Sequence, residues 1–198
     1  MMHRLDSINL FHDLGLNCLI FDYRGYGGSE GAASEEGTYL DARAAYEWLV
    51  REKKVSAKNI IIFGRSLGAS IAAQLASEIE AGSLVLESAF TSYVDMGQKL
   101  YPYMPVRWFA RFNYNTVDYI KDLRCPVMVI HSRDDEIVPF EFGLKLYNAA
   151  NKPKEFVEIF GGHNDGFLVC SEIYKRAWAK WLQFLTKYES ESEQHRAS

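Results

Sequence analysis

The sequence predicts an α/β protein, a mostly parallel β-sheet with helices on both faces and a small cap region. Three observations carry that expectation. Short, β-branched apolar runs near 18–22, 60–63, 84–87, 126–130 and 156–160 read as buried strands. Longer segments of helical spacing stand between them, which is the βα alternation of a parallel sheet. The chain has 198 residues of which 48% are hydrophobic, enough for one domain with a proper core.

The elements follow in order. Leu5, Ile8, Leu10, Phe11 and Leu14 repeat at helical spacing and stop at Gly15, a residue suited to ending a helix. Cys18-Leu19-Ile20-Phe21 then reads as a strand. Helices are expected near 38–53, 67–80, 140–150 and 171–187. The domain is expected to span 1–188, with an irregular cap-like insert at about 90–123 and a polar, disordered tail over 189–198. No internal repeat is visible.

Chemistry concentrates at Gly64-Arg65-Ser66-Leu67-Gly68, which lies between the strand Asn59–Phe63 and the small, apolar helix starting at Ala69. A serine there sits on a tight strand-to-helix turn with its hydroxyl above the sheet. The glycines answer a steric need, since a Cβ at either position is expected to collide with a neighbouring element. The helix N-terminus behind Ser66 offers the unpaired N–H of Leu67 where an oxyanion would form. A nucleophilic serine also needs a base, and the base an orienting acid. Pro126–Ile130 is followed by His131-Ser132-Arg133-Asp134-Asp135, and Phe156–Phe160 by Gly161-Gly162-His163, so both partners stand just past strand ends. That is the edge of an open α/β sheet where catalytic groups gather. Asp134 and Glu87 are rival acids, Glu87 being expected to cap a turn or pair with Arg24. Asp165 follows His163 too closely to orient it easily. His131 reads as a partly buried histidine bracing the acid loop.

These motifs resemble the α/β-hydrolases, in particular the branch of α/β-hydrolase-domain serine hydrolases that often carries an N-terminal membrane anchor. The resemblance runs from about Arg4 to about Tyr188 on FDYRGYGGSEGAASEEGTYLDARAAYEWL, GRSLGAS, HSRDDEIVP and GGHND. It implies a triad of Ser66, Asp135 and His163, with Ser132 standing where the family pattern has glycine. It also implies a fold shortened at its N-terminus. The family's third strand and its loop with a second oxyanion donor have no counterpart, so strands 18–22 and 60–63 are expected to leave a gap or to pair directly. The segment from Ile60 onward is expected to keep its geometry, with Ser66 in hydrogen-bond reach of His163.

The implied activity is hydrolysis of a carboxylic ester or thioester of an apolar acyl substrate. Tyr26, Tyr93, Met96, Trp108 and Phe109 are the candidates to line its site. Serine at the turn, rather than aspartate, argues against epoxide hydrolase or dehalogenase chemistry. Two other readings remain: an inactive remnant serving as a binding module, and a serine peptidase. The net charge of −4 without a basic cluster argues against nucleic acid as a partner. Histidines and cysteines lack ligand spacing, so no metal or other cofactor is expected. Cys18, Cys125 and Cys170 read as reduced thiols. No apolar run reaches membrane-spanning length, and a cytoplasmic location is expected, with membrane association if an anchor precedes the chain.

Overall fold

The computed structural model describes residues 2–106 and 110–197. Its sheet consists of β1 (Ile61–Arg65), β2 (Ser83–Glu87), β3 (Val127–Ser132) and β4 (Lys154–Ile159), all parallel and in that spatial order. Parallel neighbours need crossovers. These are α3 (Leu67–Glu78) after β1, α4 (Tyr93–Leu100) and α5 (Thr116–Lys121) after β2, and α6 (Phe140–Ala149) after β3. Before the sheet come α1 (Met2–Asp13) and α2 (Glu35–Arg51), and after it α7 (Gly166–Val169) and α8 (Ser171–Ala197).

Strand periodicity divides the core into two layers. Leu84, Leu86, Val127 and Val129 enter one apolar cluster with Ala42, Ile71, Phe142 and Leu146, from α2, α3 and α6. Val85, Met128 and Ile130 enter the other with Leu10, Phe11, Tyr174, Trp178 and Trp181, from α1 and α8. β2 and β3 are therefore buried at every position, because both faces are covered. On the first face Ala69, Ala72, Ala73 and Ala76 give α3 a low profile, so its backbone approaches the sheet closely. On the second face Trp178 meets Phe11 edge to face, with ring centroids 4.9 Å apart. α1 closes as expected at Gly15, whose φ of +76° lets Leu16 N–H bond to Phe11 O and Gly15 N–H to His12 O.

Two expectations are corrected. Residues 16–23 form no strand. β1 has β2 on one side and no paired neighbour on the other among the described residues, so this stretch lacks a ladder to join. It neither pairs with β1 nor packs fully against it. A cavity of about 120 Å³ lies between Leu19, Phe21 and Tyr23 on one side and Ile60–Phe63 on the other. Leu19 and Ile20 are consequently 43% and 53% exposed, and Cys18 is exposed too. The tail is corrected too, because α8 continues through 189–197. Extending an existing helix avoids the nucleation penalty, and Glu, Gln, Arg and Ala are good helix formers.

Candidate active site

β1 ends at Arg65 and the chain reverses at Ser66, whose φ of 54° and ψ of −122° lie outside the regions open to an ordinary L-residue. The reversal is held from two sides. Ser66 N–H donates to Glu87 O at 3.0 Å, tying the turn to the end of β2. A Cβ on Gly64 would sit 2.3 Å from Gly68 O and 2.6 Å from Ala69 Cα, so only glycine allows α3 to fold back this closely. Gly68 differs from expectation: the nearest atom to an added Cβ is Tyr23 Oη at 3.8 Å, so no collision demands glycine there. Leu67 N–H opens α3 directly after Ser66, and among the described residues it donates to no backbone acceptor, which leaves it at the positive helix end.

Across the sheet edge, the turn after β3 holds Asp135 with its side chain fully buried. Oδ1 accepts Val138 N–H at 2.7 Å and Ile137 N–H at 3.0 Å. His163 Nδ1 lies 2.9 Å from Oδ2 and 3.1 Å from Oδ1. Burial pushes the Asp135 carboxyl up, but the His163 and backbone hydrogen bonds outweigh it and hold the group below its usual value. An ionised Asp135 can only accept, so the imidazole proton sits on Nδ1 and His163 Nε2 carries a free lone pair. His163 N–H donates to Glu136 Oε2 at 2.9 Å, fixing the backbone of the same loop. Ser132, in place of glycine, joins the two loops: its hydroxyl donates to Gly161 O and accepts Asp134 N–H.

His131 braces this loop from beneath. It is fully buried, donates from Nε2 to Val138 O at 3.0 Å, and has Nδ1 without a hydrogen-bond partner. Burial holds its imidazole below the usual value, so it stays neutral.

Ser66, Asp135 and His163 thus stand at one sheet edge, but the last link is open. Among the described residues the Ser66 hydroxyl makes no hydrogen bond with His163. Of the rival acids, Asp134 is exposed and approaches Gly161 N–H, at 3.4 Å, rather than His163. Glu87 pairs with Arg65 at 2.8 Å and not with Arg24, which holds Asp41 instead. That buried Arg65–Glu87 pair and the Glu136 contact to His163 escaped the sequence reading. Arginine at the end of a buried strand was the available signal for the first.

Tyr26 and Tyr93 are about half exposed, and Met96 packs against the core. Tyr93 belongs to an aromatic group with Phe90, Phe112 and Tyr114. Trp108 and Phe109 lie outside the described residues. A cavity of about 430 Å³ is formed by Tyr147, Lys152, Pro153, Lys154 and Tyr188, beside the start of β4 and away from the edge that carries Ser66 and His163. Neither it nor the cavity beside β1 is lined by Tyr26, Tyr93 or Met96. No group of three His, Cys, Asp or Glu among the described residues is placed to hold a metal ion. None of their helices is long and apolar enough to cross a membrane.

Residues 6–107 match a family model described as the alpha/beta hydrolase fold. The chain belongs to the α/β-hydrolase family. An uncharacterised protein of Mycobacterium tuberculosis, Rv2307c, is 42% identical over 172 residues, covering 86% of this chain and 61% of that protein. The lysophosphatidylserine lipase ABHD12 of Danio rerio is 32% identical over 184 residues, 84% of this chain and 47% of the lipase. The chain thus spans less than two thirds of the length of both relatives. Among solved structures, the esterase Pf2001 of Pyrococcus furiosus superposes with a TM-score of 0.74 at 25% identity, covering 90% of this chain and 74% of the esterase.

Proposed function

We propose that this α/β-hydrolase cleaves carboxylic esters or thioesters of apolar acyl groups through Ser66, His163 and Asp135. The observation that carries the reading is the 2.9 Å contact from His163 Nδ1 to a buried, ionised Asp135. It leaves Nε2 as the basic nitrogen at the edge where half-buried Ser66 sits on its strained turn. In the reaction His163 Nε2 removes the Ser66 proton as Oγ attacks the carbonyl carbon. Leu67 N–H and the α3 dipole stabilise the oxyanion, and His163 returns the proton to the leaving oxygen or sulfur. Asp135 keeps the tautomer and stabilises the imidazolium. The naming of relatives as an esterase and a lysophosphatidylserine lipase supports a lipid-like ester over a thioester or a peptide.

A fluorophosphonate probe tests this. Wild-type protein labels, and Ser66→Ala does not; labelling that survives the substitution sinks the assignment. The missing Ser66–His163 hydrogen bond favours a second reading, a binding module that keeps the turn without turnover. That reading predicts an unlabelled wild type with an intact fold.

A further inference from the structure

The residue before the serine is an arginine whose side chain is mostly withdrawn from solvent. Its side chain is 20% exposed, and it lies beside Glu87, whose side chain is 2% exposed. The sheet register brings the two together, since Arg65 and Glu87 are Cα partners in the β1–β2 ladder. Arg65 Nε stands 2.8 Å from Glu87 Oε1, close as a charge contact although its N–H is not aimed along the hydrogen-bond direction. The second carboxylate oxygen accepts the buried Tyr174 hydroxyl of α8 at 2.6 Å. Arg65 Nη2 donates to Ser7 Oγ of α1 at 3.2 Å. The guanidinium Cζ lies over the ring of Phe167, 4.3 Å from its centroid.

These contacts tie β1 and β2 to α1, α7 and α8. Arg65 precedes the candidate nucleophile, and Glu87 O receives Ser66 N–H. Phe167 is 1% exposed and sits on α7, the helix that follows the His163 loop and is joined to it by Gly166 N–H to Gly162 O at 3.0 Å. One side chain therefore touches both the strand that carries Ser66 and the helix that places His163. A charged pair is a poor choice for stability alone in such a place. Desolvation opposes it, and an apolar set of similar volume is often as stable or more so.

We propose that Arg65, held by Glu87 and Tyr174, is a positioning residue that sets the separation of Ser66 from His163 through its contact with Phe167. The claim rests on the hydrolase reading above. It places specificity of geometry, rather than stability, in the buried charge pair.

Three variants separate the two roles: Arg65→Met, Arg65→Lys, and the charge-free Arg65→Met/Glu87→Leu/Tyr174→Phe. Each is assayed for thermal midpoint and for kcat and KM on p-nitrophenyl butyrate. Arg65→Met strands the Glu87 charge and is expected to lower the midpoint. The charge-free variant is expected to recover the midpoint while kcat stays down by on the order of 10²-fold, the scale of a misplacement of about 1 Å, with KM changed by less than about twofold. Arg65→Lys, which keeps the charge without the guanidinium over Phe167, is expected to recover stability more than kcat. Recovery of kcat together with the midpoint in the charge-free variant overturns the proposal. A wild type that neither turns over nor labels defeats the hydrolase reading instead. The Ser66–His163 separation in crystals of wild type and the charge-free variant then decides the positioning claim, and an unchanged separation overturns it.

Discussion

Cys18-Leu19-Ile20-Phe21 and Ile60-Ile61-Ile62-Phe63 are nearly the same string of apolar residues, yet only the second stretch enters the sheet. The difference is not propensity, since both are rich in residues that suit a pleated, half-buried surface. It is the company of a neighbour. Ile61–Arg65 exchange backbone hydrogen bonds with Ser83–Glu87, whereas residues 16–23 face a cavity across which no ladder forms. A strand is a property of a pair. Apolar pattern says which segments can join a sheet, and only the partner decides which do.

The same contrast divides the candidate site. Everything built on paired strands is tightly held: the Ser66 turn by Glu87 O, the acid loop by His131 and Val138, the His163 loop by Glu136 and Ser132. The largest expected effect therefore belongs to Asp135. Asp135→Asn keeps the loop's shape but presents an amide to Nδ1 and favours the wrong tautomer. In the best-studied serine triad that change lowers kcat on the order of 10⁴-fold. Ester turnover with Asp134→Asn as the companion measures it, because Asp134 is exposed and approaches Gly161 N–H rather than His163. A damaging Asp134→Asn beside a mild Asp135→Asn would move the acid by one residue.

Next comes a direct test of the paired and unpaired stretches. Leu86 is fully buried in β2, so Leu86→Ala should destabilise by about 2–5 kcal/mol in urea unfolding. Leu19 is 43% exposed beside the cavity, and Leu19→Ala should change stability by less than about 0.5 kcal/mol. Equal losses at the two positions would mean that residues 16–23 are docked as firmly as the sheet.

What could be read from the sequence follows the range of the interaction. The four strands after Ile60, the helices between them, the Gly15 stop and the Ser66 turn rest on local pattern and on steric needs within a few residues. Chain order placed an acid and a histidine past strand ends on one edge, while the choice of Asp135 over Asp134 came from the resemblance to the family's acid-loop motif. Arg65 with Glu87 was misread because it depends on register: the sequence offered Arg24 as the cation, and only the alignment of β1 with β2 places Arg65 opposite. The tail was misread because polar composition speaks of solvation, while α8 carries its helical geometry forward from Trp178 and Trp181, which are anchored in the core. The separation of Ser66 from His163 depends on how two loops are braced, which no local pattern records.

The smallest effect sharpens the comparison through pH. Burial lowers the His131 imidazole from its ordinary value while its Nε2–H bonds Val138 O. The unfolded chain thus takes up a proton at a higher pH than the folded chain does. Stability supplied by the neutral, buried ring is complete above the unfolded value of about 6.5 and is lost progressively as pH falls below it. Asp135, also held below its usual value, adds to the loss only further down, beneath the ordinary carboxylate value of about 3.9. Urea midpoints measured from pH 8 down to about pH 5 should therefore fall below about pH 6.5 in the wild type and be flatter in His131→Asn. In hydrogen exchange corrected for the intrinsic pH dependence, the added opening should appear at the ends of β3 and β4, where the acid and histidine loops are braced. Residues 16–23, with no ladder to lose, should show little change over the same range. A pH slope undiminished in His131→Asn would place the acid sensitivity outside the braced loop and break the link between pairing and pH response.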